Sequence, residues 1–292
     1  MKPETYQFLC ELLRKESGLV LSADKHYLVE TRLEPILRKS SIASLDELAD
    51  RLRRLAPRDL REQVVEAMTT NESFFFRDKT PFELFENEML PKLLEARSSA
   101  RRLRIWCAAA STGQEPYSLA MLLKERAAKL GGWTIEILGT DLSKEVLEKA
   151  KLGIYSQFEV QRGLPIQLLL KYFDQKGDTW HIDPGIRQMV RWRHFNLLEP
   201  FAALGKFDIV FCRNVLIYFN PETKVDVLQR LAKVTAADGY MVLGSAETVV
   251  GLTDVFQPVA DKRGLYQTRN VDGSGNSVTG LPKRPPLAAV SG

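Results

Sequence analysis

The sequence predicts an α/β protein: an open sheet of parallel strands covered by helices on both faces, with a small all-helical domain in front of it. Three observations predict it. The stretch LRIWCAAASTGQEPYSLAMLL (103–123) is a short apolar strand that runs into small residues, a glycine, a carboxylate and the proline that opens a helix. That is the nucleotide-binding corner of such a sheet. Strand and helix signals then alternate: a strand over 103–108, a helix over 116–129, a strand over 133–139 with Asp141 just beyond it, and a helix from Ser143. This βαβα rhythm requires parallel strands joined by covering helices. Residues 1–70, by contrast, carry only helical spacing.

In that first domain, Phe8, Leu9, Leu12 and Leu13 mark a helix that Gly18 ends. Leu28, Leu33, Ile36 and Leu37 mark a second, in which Pro35 predicts a kink or break. Ser44 and Glu47 read as a capping box ahead of Leu48, Leu52 and Leu55, and Pro57 starts a fourth segment through Leu60, Val64, Val65 and Met68. Four short helices make a bundle. Residues 71–102 are a linker and a connecting helix: Thr80 and Glu83 read as a second capping box around Pro81, before Phe85, Met89, Leu90, Leu93 and Leu94. Arg101, Arg102 and Arg104 read as solvated charges leading into the first strand.

The α/β domain covers 103–269. Pro165 opens a short helix from Ile166 to Phe173. At 177–195 the pattern changes: Trp180-His181-Ile182, the turn Asp183-Pro184-Gly185 and Met189 to Trp192 predict a small antiparallel hairpin inserted into the α/β order. Phe207 to Phe211 is a buried strand, Pro221 opens a helix to about Ala236, and Asp238-Gly239 turns into the strand Tyr240 to Gly244. A last strand pair, near 255–259 and 265–268, completes the sheet. Residues 270–292 are Gly, Ser, Asn and Pro with few large apolar side chains and read as a disordered tail.

Bulk properties narrow the function. A net charge of +4, evenly mixed with acids, does not argue for nucleic acid. The three cysteines have no metal-ligand spacing, and their odd number argues against a disulfide framework, so neither a metal nor a disulfide is expected. The N-terminus reads as an amphipathic helix rather than a signal peptide, and no apolar run is long enough to span a membrane. A cytoplasmic, monomeric protein with no membrane insertion is the expectation.

The loop 108–116 is the strongest local signal. Its small residues admit a ligand close to the backbone, and Gly113 supplies conformational freedom. Glu115 sits where a pyrophosphate would need a bare helix N-terminus. A carboxylate there repels phosphate and suits a cationic, hydroxyl-bearing ligand such as S-adenosylmethionine; it equally suits the helix dipole. Asp141, at the end of the second strand, fits an acid that binds ribose hydroxyls, or a helix N-cap. In FDIVFCRNVLIYF (207–219) a buried strand ends in Arg213 and Asn214, at the sheet edge where open α/β folds bind ligands, with Tyr218 four residues on.

Three blocks, TTNESFFFRD (69–78), WCAAASTGQEPYSLA (106–120) and FDIVFCRNVLIYF (207–219), resemble the chemotaxis-receptor glutamate O-methyltransferases of CheR type. GTDLS (139–143), FNLLEP (195–200) and LGSAET (243–248) support the resemblance, which covers residues 6–268. It implies a Rossmann-like S-adenosylmethionine-dependent methyltransferase sheet, an N-terminal all-helical domain and a small inserted antiparallel β-subdomain. It also implies roles. Asn71, Ser73 and Arg77 would line the cofactor and target site, and Glu115 would hold polar groups of the cofactor. Asp141 would take the ribose hydroxyls, and Asn196 with Leu197 would frame the adenine. Arg213 and Asn214 would close the pocket, and Tyr218 would face the incoming glutamate. Tyr218 and Arg77 would be the catalytic pair, orienting groups rather than moving protons. Arg32 and Arg38, on the second helix, would meet the acidic cytoplasmic helices of methyl-accepting chemoreceptors.

Two departures stand out. Many members carry two acids ahead of the helix, where this chain has Gln114 and Glu115. Members that dock a receptor's C-terminal peptide have a longer, glycine-richer hairpin than one holding only Gly177 and Gly185, which favours direct recognition of the methylated helix. The alternatives are a nicotinamide oxidoreductase, which the single glycine and Glu115 disfavour, and a non-catalytic S-adenosylmethionine-binding adaptor of a receptor array.

Overall fold

A computed structural model describes residues 1–54 and 58–269. Four helices come first: α1 (Pro3–Ser17), α2 (His26–Lys39), α3 (Leu45–Arg53) and α4 (Arg58–Met68). Leu9, Leu13, Leu33, Leu48, Leu52 and Val64 are buried among them as a core of their own. α2 continues through Pro35 without a break, and Val29, Leu33 and Ile36, buried on both sides of it, hold the helix to the bundle. Ser44 caps α3 as expected by accepting from the Glu47 N–H, while Glu47 reaches the N–H of Ala43. Pro57 and Leu55, and the tail 270–292, lie outside the described residues.

The connecting helix has three pieces: α5 (Thr80–Leu84), a π-helical turn (Phe85–Met89) and α6 (Leu90–Ala96). The predicted capping box is not made. Lys79 is the N-cap and caps through no side chain, and Asp78 and Lys79 both have positive φ, so the chain enters the helix from an unusual direction. The π turn precedes Pro91: the Leu90 N–H reaches back to the Phe85 carbonyl.

The α/β domain follows as β1 (Arg102–Ala108), α7 (Gln114–Glu125), β2 (Thr134–Asp141), α8 (Lys144–Leu152), β3 (Ile154–Ser156), α9 (Gln157–Gln161), α10 (Ile166–Tyr172), β4 (Phe173–Lys176), β5 (Thr179–Ile182), α11 (Pro184–Arg187), β6 (Val190–His194), β7 (Phe207–Cys212), α12 (Pro221–Val234), β8 (Thr235–Leu243), β9 (Phe256–Pro258) and β10 (Leu265–Thr268). The large sheet has the order β6-β2-β1-β7-β8-β10-β9. It is parallel from β6 to β8, and β10 and β9 close it in antiparallel pairing. Both faces are covered, which explains the unbroken apolar run of β1. Ile105 and Cys107 join the core shared with α7, and Trp106 and Ala108 join the core shared with α12.

The inserted subdomain differs from its predicted form. The hairpin is β4–β5, joined by Gly177-Asp178 and extended by β3. Residues 190–194 leave it and become the parallel edge strand β6 beside β2. The cause is Trp192, which pairs with Gly139 and lies so close over it that a Cβ on Gly139 would meet its ring at 2.5 Å. The same ring lies 3.0 Å from where a Cβ of Gly113 would be. Gly113 supplies the conformational freedom expected of it, with φ of +96°, and packing against Trp192 requires it as well.

Two smaller corrections concern the sheet's other end. Asp238-Gly239 is not a turn before a strand but a bulge within β8, where Phe207 faces Thr235 and Ile209 faces Tyr240. Arg97 clamps it, donating to Asp208 (3.0 Å) and to both oxygens of Asp238 (2.7 and 2.6 Å). Arg104 is not simply solvated. It pairs with Glu136 at 3.0 Å, donates to the carbonyls of Lys206 and Leu204, and lies over the Phe207 ring.

Candidate active site

β1 lies between β2 on one side and β7 on the other, so the strand order reverses there. Open α/β sheets bind ligands at the carboxyl ends of strands at such a point. The loops after β1, β2 and β7, with the segment before α5 folded over them, line one cleft: Thr70, Asn71, Glu72, Ser73, Arg77, Ala109, Ala110, Ser111, Glu115, Asp141, Arg213 and Asn214. It holds about 590 Å³ of empty space, part of it open to solvent.

Arg213 is the pivot of this cleft. Its side chain is 2% exposed and donates to Glu115 at 2.7 Å and to Asp78 at 2.8 Å. It also donates to the Arg77 carbonyl at 2.9 Å. The guanidinium thus ties β7 to the start of α7 and to the segment before α5. Burial pushes the Glu115 carboxyl upward from its ordinary range, while Arg213 pulls it back. Gln114 turns away and accepts from the Thr112 hydroxyl at 2.9 Å, so Glu115 is the acid that faces the cleft from the start of α7.

Asp141 accepts the Ser111 N–H on one oxygen (2.8 Å) and the Ser143 N–H on the other (2.9 Å). Asp141 is not the N-cap of α8, which is Ser143; it braces the turn that leads there and also lines the cleft. Burial raises its carboxyl, and the backbone donors oppose that rise. The segment 71–78 is pinned from below, because the Ser111 hydroxyl donates to the Asn71 carbonyl (2.7 Å) and the Phe76 N–H donates to the Ser118 hydroxyl (3.1 Å). Arg77 donates to the Glu72 carbonyl at 2.8 Å and sits over the Phe74 ring.

Left-handed backbone collects here. Phe76, Asp78, Lys79, Ala109, Ser111 and Asn214 have positive φ without being glycine. Each such residue is disfavoured by about 1–2 kcal/mol and persists where the surroundings enforce it, a pattern typical of binding sites.

Two family models match the chain: the CheR methyltransferase all-alpha domain over residues 4–69 and the CheR methyltransferase S-adenosylmethionine-binding domain over residues 71–265. The chain belongs to the CheR methyltransferase family. Chemotaxis protein methyltransferase Cher2 of Pseudomonas putida is 44% identical over 262 residues, 88% of this chain and 95% of the relative. Chemotaxis protein methyltransferase 1 of Pseudomonas aeruginosa is 45% identical over 257 residues (87% and 93%), and that of Vibrio cholerae 39% over 265 (90% and 95%). S-adenosylmethionine is the cofactor of this CheR domain.

The side chains fit that cofactor. Arg213 Nε is buried and unpartnered, and Ala109 and Ala110 leave the cleft floor open. Two buried carboxylates line the cleft, an environment for a cation and hydroxyl groups rather than a pyrophosphate. No cluster of metal-ligating side chains occurs among the described residues.

Of the residues singled out from the sequence, Asn71, Ser73, Arg77, Glu115, Asp141, Arg213 and Asn214 come together in this cleft. Tyr218 does not line it. It lies half-buried on the same loop, and its carbonyl accepts from Val20 of the helical domain at 2.9 Å. Asn196 faces a neighbouring cavity at the seam between the domains, where it donates to the Glu16 carbonyl (2.6 Å), and Leu197 is buried in the α12-side core. Arg32 lies half-buried. It is not part of an open basic face, because its guanidinium donates to the carbonyls of Met68 (2.6 Å) and Thr69 (3.0 Å) and to the Thr70 hydroxyl (3.0 Å). It closes the end of α4 and holds the linker into the cleft. Arg38 is exposed and pairs with Glu34 at 2.6 Å. Asp78, Ser111 and Glu247 were assigned no role from the sequence, although all three lie in the blocks that carry the resemblance.

Proposed function

We propose that the protein transfers a methyl group to glutamate side-chain carboxylates on the cytoplasmic helices of chemoreceptors, forming methyl esters, and that it works in the cytoplasm. The cleft supports this reading because its acids are occupied with binding. Glu115 is paired with Arg213, and Asp141 is held by two backbone N–H groups. A glutamate acceptor has a pKa of about 4.3 and arrives ionised at neutral pH, so no general base is needed. Among the lining residues there is no histidine: His26 stacks on Tyr6, and His194 is turned to the Leu142 carbonyl. S-adenosylmethionine, when bound, supplies an electrophilic methyl on a positively charged sulfur. The chain's own work is to align the acceptor and keep water out, and orientation of this kind accounts for about 7–11 kcal/mol of barrier lowering. Asn71, Ser73, Glu115, Asp141 and Asn214 would hold the cofactor, with Asn196 and Leu197 toward its adenine end. Arg77 and Tyr218 would orient the acceptor.

No helix among the described residues is long and apolar enough to cross a membrane. The reading is tested by transfer of labelled methyl to receptor cytoplasmic fragments followed by mild alkali. Base-labile label is expected, and base-stable label sinks it. Tyr218→Phe and Arg77→Ala should each lower turnover by about tenfold, equivalent to ~1.4 kcal/mol in the barrier. Full turnover in both removes them from the reaction.

For the receptor face, Arg38→Glu should weaken receptor methylation while leaving calorimetric affinity for S-adenosylhomocysteine unchanged. Equal methylation by wild type and variant takes Arg38 off that face. Arg32 is unsuited to this test, because reversing its charge would leave three acceptors at the end of α4 and just beyond it without their donor.

A further inference from the structure

The loop after β7 carries Arg213, Asn214 and Tyr218, yet it has almost no regular backbone pairing: a single short 3₁₀ turn, Leu216–Tyr218. Its N–H groups instead converge on one side chain from the far side of the sheet edge. Glu247 Oε1 accepts from Val215 (3.0 Å), Leu216 (2.8 Å) and Ile217 (3.3 Å), and Oε2 accepts from Asn214 (2.8 Å) and from Gly244 (2.8 Å). A tight turn after β8, closed by Glu247 N–H to the Gly244 carbonyl at 3.0 Å, swings the carboxylate under the loop. Only an anion with two free oxygens matches so many convergent donors.

A second observation reaches the same place independently. A Cβ on Gly244 would lie 2.7 Å from Asn214 Nδ2 and 2.8 Å from Glu247 Oε2. The absence of a side chain at 244 is what lets the Asn214 amide and the Glu247 carboxylate sit together. Asn214 itself has φ of +59° and lines the cleft, whereas Glu247 does not line it.

We propose that Glu247 is a positioning residue: its carboxylate gathers the backbone N–H groups of 214–217 and so fixes the positive-φ conformation at Asn214 that presents its side chain to the cofactor, and Gly244 keeps the space this needs. The inference rests on the cleft being the cofactor site, and it is read out by cofactor affinity, so it stands or falls separately from ester formation at a receptor glutamate.

Glu247→Gln preserves volume but turns one acceptor into an NH₂ group that faces N–H donors. Calorimetric affinity for S-adenosylhomocysteine is expected to fall at least tenfold. Gly244→Ala, which leaves the charge in place, should produce a loss of the same order. In an Asn214→Ala background, adding Glu247→Gln should change affinity by less than twofold, because the group through which Glu247 acts is already gone. A role in general stability alone would not vanish in that background. The proposal is overturned if Glu247→Gln binds within twofold of wild type, or if its full effect persists without the Asn214 side chain. Should Glu247→Gln fail to fold, Gly244→Ala with and without Asn214→Ala decides the matter in the same way.

Discussion

Replacing Arg213 by alanine is expected to destabilise the protein by about 3–5 kcal/mol, because it leaves a buried carboxylate without its counter-charge. Arg213 is 2% exposed, and Glu115, its closest partner, 11%. The effect should depend on pH in a definite direction. Burial already raises the Glu115 carboxyl above its ordinary range even with Arg213 beside it. Without the guanidinium the folded-state value rises further. A carboxyl raised in the folded state contributes stability below its unfolded pKa and loses it as pH rises through the folded value. The gap between wild type and Arg213→Ala in urea denaturation should therefore widen from mildly acidic to mildly alkaline pH. Arg213→Lys should recover only part, since one ammonium does not reproduce a fork that spans Glu115 and Asp78. A loss under 1 kcal/mol, or a gap that narrows as pH rises, would refute the account.

The consequence for function is geometric. Arg213 joins β7, the first turn of α7 and the segment before α5 at one point. The cleft exists because three separate pieces of chain converge on it. Truncating Arg213 would cost the cleft its shape before it cost the cofactor any single contact.

The parts of this site that were readable in the sequence are those where local pattern and placement coincide. An apolar run ending in polar residues marks a strand's carboxyl edge, and that marks Asp141 and Arg213-Asn214. Small residues followed by Glu115-Pro116 mark the corner after β1 in the same way. What was not readable depends on distant pairing. Glu247 looks like an ordinary loop acid until β8 is laid beside β7, which brings it to amides some thirty residues earlier in the chain. Asp78 matters only because a run of left-handed backbone aims it at Arg213, and that conformation has no signature in Phe76, Asp78 or Lys79. The contacts of Arg32 have no local sign either, because the carbonyls at the end of α4 that it reaches are some 36 residues further along the chain. The strand β6 shows why a hairpin was the wrong partner for 190–194. Val190 and Trp192 alternating with Arg191 and Arg193 fit any strand with one buried face, and the deciding feature was the bare Gly139 opposite Trp192.

Asp141→Asn is expected to weaken affinity for S-adenosylhomocysteine by roughly 1.5–3 kcal/mol, the value of one hydrogen-bonded carboxylate. Asparagine is the informative replacement. It keeps one acceptor for the N–H groups of Ser111 and Ser143, whereas alanine would orphan both and disturb the loop more. The wild-type pH dependence offers a test without mutation. Burial raises the Asp141 carboxyl above the ordinary aspartate value of 3.8. In the free protein the sign is that of a raised acid: its contribution to stability is present at low pH and lost as pH rises through the folded value. Binding works in the opposite sense. Hydroxyl groups donate to the ionised form, so the bound state lowers the carboxyl again and favours proton release. Affinity should therefore fall as pH drops through the raised value, and calorimetry on the acidic side should detect protons released on binding, seen as a heat that varies with the buffer's ionisation enthalpy. Asp141→Asn should bind weakly and release fewer protons than the wild type over the same range, with Glu115 left as the raised carboxyl of the cleft. Equal affinity of variant and wild type, or proton uptake on binding, would remove Asp141 from the cofactor site and leave it only its role in bracing the turn from β2 into α8.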